Sequence, residues 1–157
     1  MSFRKAQLLN EKPCQLFIDA TGSIIKPHGQ KVIYVYSLSG AIPISKVKSL
    51  PILEWISDRH NIATITNVLT TWKTKCQHLL PKPAIVTTDF SWALMTSVCF
   101  SFNENSVLEQ IRIQWVMMTH GTIDSSGTVI LRLCANHFIK MVSRRLSAMD
   151  VSRKVII

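Results

Sequence analysis

The sequence has little negative charge, few cysteines and no long apolar run. Nine Asp and Glu residues stand against eighteen Lys and Arg residues, and the resulting formal charge of +9 favours a polyanionic partner such as DNA. No long basic run concentrates this charge, so an ordinary basic surface is the alternative interpretation. No apolar run approaches the roughly 18 to 20 residues that span a bilayer, so we expect no membrane partner.

The scarce cysteines exclude two common kinds of scaffold. Cys14, Cys76, Cys99 and Cys134 are far apart and show no CxxC spacing, so they indicate neither a disulfide framework nor a zinc ribbon. The first ten residues, MSFRKAQLLN, are too polar for the apolar core of a signal peptide. We therefore expect an intracellular location, which would be nuclear for a protein that acts on DNA.

The overall composition is that of one folded domain. Hydrophobic residues make up 47% of the 157 residues and charged residues 17%, and no low-complexity tract or internal repeat is visible. We expect residues 1–13 to form a basic lead-in arm and residues 14–157 to form the domain.

Two acidic residues lie in apolar segments that are typical of buried strands. Asp19 is set within LFIDAT, residues 16–21, and Asp89 follows the apolar residues 84–88 just before a helix that begins near Ser91. An ionised carboxylate in apolar surroundings must be paired, hydrogen-bonded or bound to a cation. In open α/β folds, the carboxyl ends of the strands are where functional groups collect. Both acids are therefore candidate site residues.

Each acid also has a purely structural interpretation. Asp19 could be a strand-edge acid bonded to a backbone amide, and Asp89 could cap the following helix, although Ser91 could do so instead. In the functional interpretation, each acid is bound to a cation instead.

The remaining patterns predict an α/β fold. Strands are predicted at residues 15–25, 31–38, 51–57, 84–88 and 128–133, and helices at 61–80, 92–102, 107–118 and 136–149. Residues 42–47 are an alternative third strand. Three antiparallel strands followed by parallel βαβ units, with an acid in the first strand and another after the fourth, predict a ribonuclease-H-like mixed sheet with flanking helices.

The last predicted helix carries a basic surface. His137, Lys140 and Arg144 follow one another at three- and four-residue spacing, and Arg145 is adjacent. Such a surface faces either solvent or a phosphate backbone. Lys140, Arg144 and Arg145 are therefore candidate nucleic-acid-binding residues.

Three ordered motifs resemble the catalytic core of Mutator-like (MULE) DDE transposases. They are FIDATGSI, IVTTDFSWALMTSV and LCANHFIKMVSRRL, and the resemblance covers roughly residues 14–148. It implies that Asp19 and Asp89 are catalytic acids that bind Mg²⁺ or Mn²⁺, that Cys134 and His137 form the family's Cys-x-x-His motif, and that the partner is DNA. We do not expect zinc, because this motif supplies two ligands where a structural zinc site needs four. A helix-positioning role for the pair is the alternative.

The chain also departs from the family pattern. Members carry a third acid, a downstream glutamate, and the substitutes within this chain are poorly placed: Glu104, Glu109, Asp124 and Asp150. We therefore expect a partial or domesticated transposase core with an incomplete metal site and little activity by itself. A second copy or a partner chain could supply missing elements. The alternatives are a nucleic-acid-binding or protein-interaction module that retains only the fold, and a gene fragment without function.

Overall fold

The protein is described by a computed structural model that covers residues 14–22, 32–41, 49–76, 78, 82–120 and 127–154. Within these residues, five strands and four helices follow one another in the predicted order. The strands are β1 (Gln15–Gly22), β2 (Tyr34–Ala41), β3 (Leu50–Ser57), β4 (Ile85–Thr88) and β5 (Ile130–Leu133). The helices are α1 (Ile62–Cys76), α2 (Trp92–Asn103), α3 (Val107–Thr119) and α4 (Ala135–Lys154). Within these ranges, no helix combines the length and the apolar character needed to cross a bilayer.

The strands form one mixed sheet in the order β3-β2-β1-β4-β5. β1 pairs antiparallel with β2, and β2 with β3, whereas β4 pairs parallel with both β1 and β5. Parallel neighbours need a crossover connection, and α1 lies in the connection that precedes β4. The antiparallel first half and the parallel second half agree with the pattern in the sequence.

One face of the sheet, called here the covered face, packs against α1 and α2. Alternate residues of the strands point into this core because side-chain direction reverses at each strand residue. Its buried members include Leu16, Ile18, Tyr36, Leu38 and Val86 from the strands, with Ile65 and Leu69 from α1 and Leu94, Val98 and Phe102 from α2. Burial of each Leu, Ile or Phe side chain contributes about 1.5 to 3 kcal/mol.

The opposite face, called here the open face, carries the residues that alternate with this core. Its side chains are half-buried or exposed, apart from Thr87, and Ile56 on β3 is 63% exposed. Phe17 and Asp19 belong to it on β1, and Arg132 belongs to it on β5. The open face therefore presents polar and charged groups next to isolated apolar ones.

The second strand begins later than predicted. β2 runs over Tyr34–Ala41, whereas residues 31–38 were expected, because it pairs with β1 along its whole length from Gly22 back to Gln15. The segment KVIYVYSL is apolar on both faces, so its periodicity does not mark where the strand ends. The third strand is confirmed at Leu50–Ser57. The predicted lead-in arm, residues 23–25 of the first predicted strand, residue 31 of the second, the alternative strand at 42–47 and residues 77 and 79–80 of the first predicted helix lie outside the described residues.

The outer edge of β5 is closed by amide side chains. Asn103 accepts from the Val129 N–H at 2.8 Å and donates to the Val129 carbonyl at 2.7 Å, and Gln110 donates to the same carbonyl at 3.0 Å. Gln114 accepts from the Leu131 N–H at 2.8 Å and donates to its carbonyl at 3.1 Å. These side chains satisfy backbone groups that a further strand would otherwise pair with.

Candidate functional site

The two predicted acids lie at the same end of neighbouring central strands. β1 and β4 run parallel, and their last paired residues are Ile18 and Thr88. Asp19 is the next residue on β1, and Asp89 is the first residue after the end of β4; paired strands lie about 4.8 Å apart. The fold therefore places the backbones of these two residues, which are remote in the sequence, near each other where the pairing of β1 with β4 ends.

Contacts on the open face show to which side of the sheet Asp19 belongs. Nε of Arg132 donates to Oγ1 of Thr87 at 2.9 Å, and its guanidinium carbon lies 5.9 Å from the centre of the Phe17 ring. Phe17 and Thr87 thus share a face. Asp19 lies two residues after Phe17 on β1, where alternation returns to the same face, and Asp89 lies two residues after Thr87, just beyond the end of β4.

The carboxylate of Asp89 is held by the start of α2. Its Oδ1 accepts from the Ser91 N–H at 2.9 Å, while Ser91 is the N-cap residue and accepts from the Leu94 N–H at 3.4 Å. Ser91 therefore caps the helix, as the sequence allowed, and Asp89 holds the cap residue in turn. The second oxygen of Asp89 has no partner among the described residues.

Asp19 is exposed, and its Oδ1 accepts from the Ala20 N–H at 2.8 Å. This is the backbone-bonded arrangement that the sequence allowed, and it leaves the second carboxylate oxygen available. Within the described ranges, neither Asp19 nor Asp89 has a Lys or Arg partner. The second oxygen of each carboxylate is a hard donor of the kind that divalent cations such as Mg²⁺ or Mn²⁺ prefer.

A third carboxylate, overlooked in the sequence, lies in the same transverse row of the sheet. Asp19 pairs with Ser37 on β2, and Ser37 pairs with Glu54 on β3. Glu54 is therefore on the open face, two strands from Asp19, and it is exposed. The alternation of apolar and polar residues in PILEWIS indicates on which face of the sheet Glu54 lies. Only the pairing register of the strands shows that Glu54 is level with Asp19. Among the described residues, no group of three or more His, Cys, Asp and Glu side chains is close enough to hold a metal ion.

The other acids considered as substitutes lie elsewhere. Glu104 ends α2 in a left-handed conformation with φ of 57°, and Glu109 is exposed in the first turn of α3. Asp150 lies in α4, where only its backbone is described, and Asp124 lies outside the described residues.

A hydrogen-bond network behind the acids was also missed in the sequence. The Tyr36 hydroxyl lies 2.8 Å from Nδ1 of His60 and 3.3 Å from the Arg59 carbonyl, and Nε2 of His60 lies 2.9 Å from the Ser91 hydroxyl. A neutral His60 with its proton on Nδ1 satisfies all these groups: it donates to Tyr36, which donates to the carbonyl, and it accepts from Ser91. The network ties β2 to the residue that holds Asp89.

Burial fixes the protonation state of Tyr36. Its side chain is fully buried, and burial, with a smaller effect from nearby Tyr34, raises the pKa of Tyr36 to about 12. The hydroxyl therefore stays neutral at all ordinary pH values and keeps its proton for the hydrogen bonds described above. No spacing in the sequence singles out His60 or Tyr36 as members of such a network.

The predicted Cys-x-x-His motif begins at the same end of the sheet. The Cys134 N–H donates to the Thr88 carbonyl at 2.8 Å, and the Cys134 carbonyl accepts from the Phe138 N–H at 3.1 Å. These main-chain bonds join the end of β4 to the start of α4. Cys134 is a half-buried free thiol, and His137 is half-buried with an Nδ1 atom that has no partner among the described residues.

The predicted basic surface lies on α4. Lys140, Arg144 and Arg145 are exposed, and together with His137 and Met141 they line a shallow cavity of about 400 Å³. Near the start of α4, the Phe138 ring packs against the ring of Phe90, the residue after Asp89, with centres 6.2 Å apart. This contact places the start of the basic helix beside the acid pair.

The sequence is similar to that of a protein encoded by a transposable element. It is 27% identical over 136 residues to a 120.7 kDa protein in the NOF-FB transposable element of Drosophila melanogaster. The match covers 83% of this chain but 12% of the fly protein, so the chain spans about an eighth of that relative. No protein-family profile matches the sequence. The similarity is consistent with an origin of this chain in a transposable element.

Proposed function

We propose that the chain is a partial or domesticated catalytic core of a DDE-type transposase, in which Asp19 and Asp89 bind Mg²⁺ or Mn²⁺. The main support is the register of β1 and β4, because its last pair, Ile18 and Thr88, directly precedes the two acids. The similarity to a transposable-element protein agrees with this proposal.

The topology supports a ribonuclease-H-like interpretation of the fold. The sheet order β3-β2-β1-β4-β5 combines three antiparallel strands with two parallel ones; Asp19 lies on the central strand β1, and Asp89 directly follows the neighbouring strand β4. Bound at such a pair, divalent ions would activate the attacking oxygen and stabilise the leaving oxygen of a phosphodiester.

The protein's own groups orient the acid pair. The backbone N–H groups of Ala20 and Ser91 each fix one oxygen of Asp19 and Asp89, so that the second oxygens are left for a cation. His60 and Tyr36 fix Ser91 in turn. Lys140, Arg144 and Arg145 on α4 supply positive charge for binding DNA phosphates.

A titration with Mn²⁺ tests the metal-binding part of the proposal. We expect Mn²⁺ to raise the unfolding temperature of the wild type, because a ligand at 100 times its Kd stabilises the folded state by about 2.7 kcal/mol. The double variant Asp19→Asn plus Asp89→Asn should show no such shift. Glu109→Gln, an exposed acid on α3, is the matched control and should respond as the wild type does.

Two outcomes would contradict metal binding. One is the absence of any shift in the wild type, and the other is an equal shift in the wild type and in the double variant.

A non-cleaving nucleic-acid-binding module is the second candidate. The observation that favours it is the exposed basic surface of α4, whose Lys140, Arg144 and Arg145 need no metal to bind phosphates. Binding by such a module should weaken steeply with salt and persist in a chelator, whereas metal-dependent cleavage must vanish in a chelator. Measuring DNA binding and DNA cleavage with and without EDTA separates the two candidates.

A further inference from the structure

We propose that Arg132 binds a phosphodiester group of a nucleic-acid strand that lies on the open face, next to Asp19 and Asp89. The inference deepens the proposed function, since it rests on nucleic acid being the substrate of that site. No pattern in the sequence marks Arg132 as a candidate site residue.

The guanidinium of Arg132 is held in place across three strands. The residue stands on β5, its Nε donates to Thr87 on β4 at 2.9 Å, and its guanidinium lies over the ring of Phe17 on β1. An arginine held by a hydrogen bond and by an aromatic face loses less freedom on binding than an unrestrained one. The group is therefore prepared for a ligand before the ligand arrives.

The donors that suit a phosphate are still free. A guanidinium has five N–H groups, and Thr87 uses the one on Nε, so that the two terminal nitrogens have no protein partner among the described residues. Arg132 is also exposed. Paired N–H groups in a planar fork match two oxygens of a phosphate group, which is the geometry of strong charge-assisted recognition.

The position of Arg132 relative to the acids favours a shared ligand. The row of Phe17, Thr87 and Arg132 lies two residues before the row of Asp19 and Asp89, which is about 6.6 Å along the strands. Neither acid forms an ion pair with the guanidinium, so its charge is not consumed by a structural contact. A phosphate on this face would meet a fixed cation on one side and the metal-binding carboxylates on the other.

DNA binding measured in EDTA tests the proposal without involving the metal. The probe is a fluorescently labelled single-stranded oligonucleotide, and affinity is measured by anisotropy over a series of NaCl concentrations. Arg132→Gln should weaken binding about tenfold and lower the slope of log K against log salt by about 0.7, the amount lost with one single-strand phosphate contact.

Three further variants separate charge from placement. Arg112→Gln removes the same charge from an exposed position on α3 and should change affinity by no more than about twofold, because that charge is screened from the open face. Thr87→Val removes the hydroxyl that holds Nε and keeps the charge, so it should weaken binding with little change in slope. Arg132→Lys should keep the slope and lose affinity. Circular dichroism of each variant is the control that the substitution has not unfolded the protein.

The outcomes distinguish this inference from the proposed function. Salt-dependent binding by the wild type, with Arg132→Gln and Arg112→Gln behaving alike, would overturn the role of Arg132 and leave DNA binding intact. An absence of DNA binding by the wild type would overturn both. An unchanged Mn²⁺ shift in Arg132→Gln, together with its weaker DNA binding, would support the inference separately from the metal site.

Discussion

The two faces of the sheet are built from the same strands, but they differ in burial and in the polarity of their side chains. On β1, Leu16 and Ile18 are buried against α1 and α2, whereas Phe17 and Asp19, which alternate with them, lie on the open face. The covered face holds the apolar core. The open face holds Asp19, Glu54 and Arg132.

This difference shows how one short strand can serve stability and chemistry together. Because side chains alternate along a strand, each residue is committed to one face, and a substitution on one face leaves the other face in place. The covered face should therefore determine the free energy of unfolding, and the open face should determine what the protein binds.

The largest expected effect compares neighbours on β1. Leu16→Ala should lower the free energy of unfolding by about 2 to 5 kcal/mol, because it removes a side chain that is 1% exposed and leaves a cavity. Phe17→Ala should cost less than about 1.5 kcal/mol, because Phe17 is only half-buried. Urea unfolding measures both. If Leu16→Ala and Phe17→Ala lowered the free energy of unfolding equally, the open face would have to be covered in solution.

A smaller effect concerns a polar group within the covered face. Folded Tyr36 stays neutral up to its pKa of about 12, whereas the same group ionises near 10 in the unfolded chain. As the pH rises from 10 to 12, ionisation therefore favours the unfolded state, and the wild type should lose about 2 kcal/mol of stability.

Tyr36→Phe lacks this loss. It should be less stable than the wild type at neutral pH, where it misses the hydrogen bond to His60, and the gap should narrow above pH 10. Urea unfolding over a pH series measures the difference in stability between the two proteins. Other groups that ionise at alkaline pH, such as Cys99, are present in both and cancel in the comparison. Parallel pH profiles would show that Tyr36 does not carry this dependence.

The smallest effect tests whether the two faces are coupled at Ser91, which caps α2 and also holds Asp89. Ser91→Ala should cost about 1 kcal/mol, the typical value of an N-cap, and should also reduce the Mn²⁺ shift, since it removes the hydroxyl that His60 contacts. Ser106 caps α3 in the same manner, with its side chain accepting from the Glu109 N–H at 3.2 Å.

Ser106→Ala is therefore a matched control, and it should cost a similar amount without changing the response to Mn²⁺. Equal Mn²⁺ responses in the two variants would show that the faces are independent at this point.

Much of the fold could be predicted from the sequence, because local patterns specify it. The order of strands and helices follows from periodicity and from the positions of proline and turn residues. The meeting of Asp19 and Asp89 follows from one topological rule, since the ends of neighbouring parallel strands share an edge. The sequence allowed either Asp89 or Ser91 to cap α2, and the structure shows that Ser91 is the N-cap residue.

The missed residues depend on pairing register and on contacts between remote elements. Glu54 joins the acid row only because β2 and β3 pair Ser37 with it. Arg132 reaches Phe17 only because β4 lies between their strands, and His60 reaches Ser91 only through the packing of α2. A single sequence shows how side chains alternate within each strand, but it does not show which residues of two strands pair. The positions of these residues in the site could therefore not be predicted from the sequence.

The amides that close β5 also bear on how the protein meets copies of itself. Asn103, Gln110 and Gln114 occupy the donors and acceptors of Val129 and Leu131, so a strand from another molecule finds none of these groups free for hydrogen bonding. Intermolecular growth of the sheet by backbone pairing, the first step toward fibrils, is therefore hindered at these two residues. Neutral side chains achieve here what many proteins achieve by placing lysine on an outermost strand.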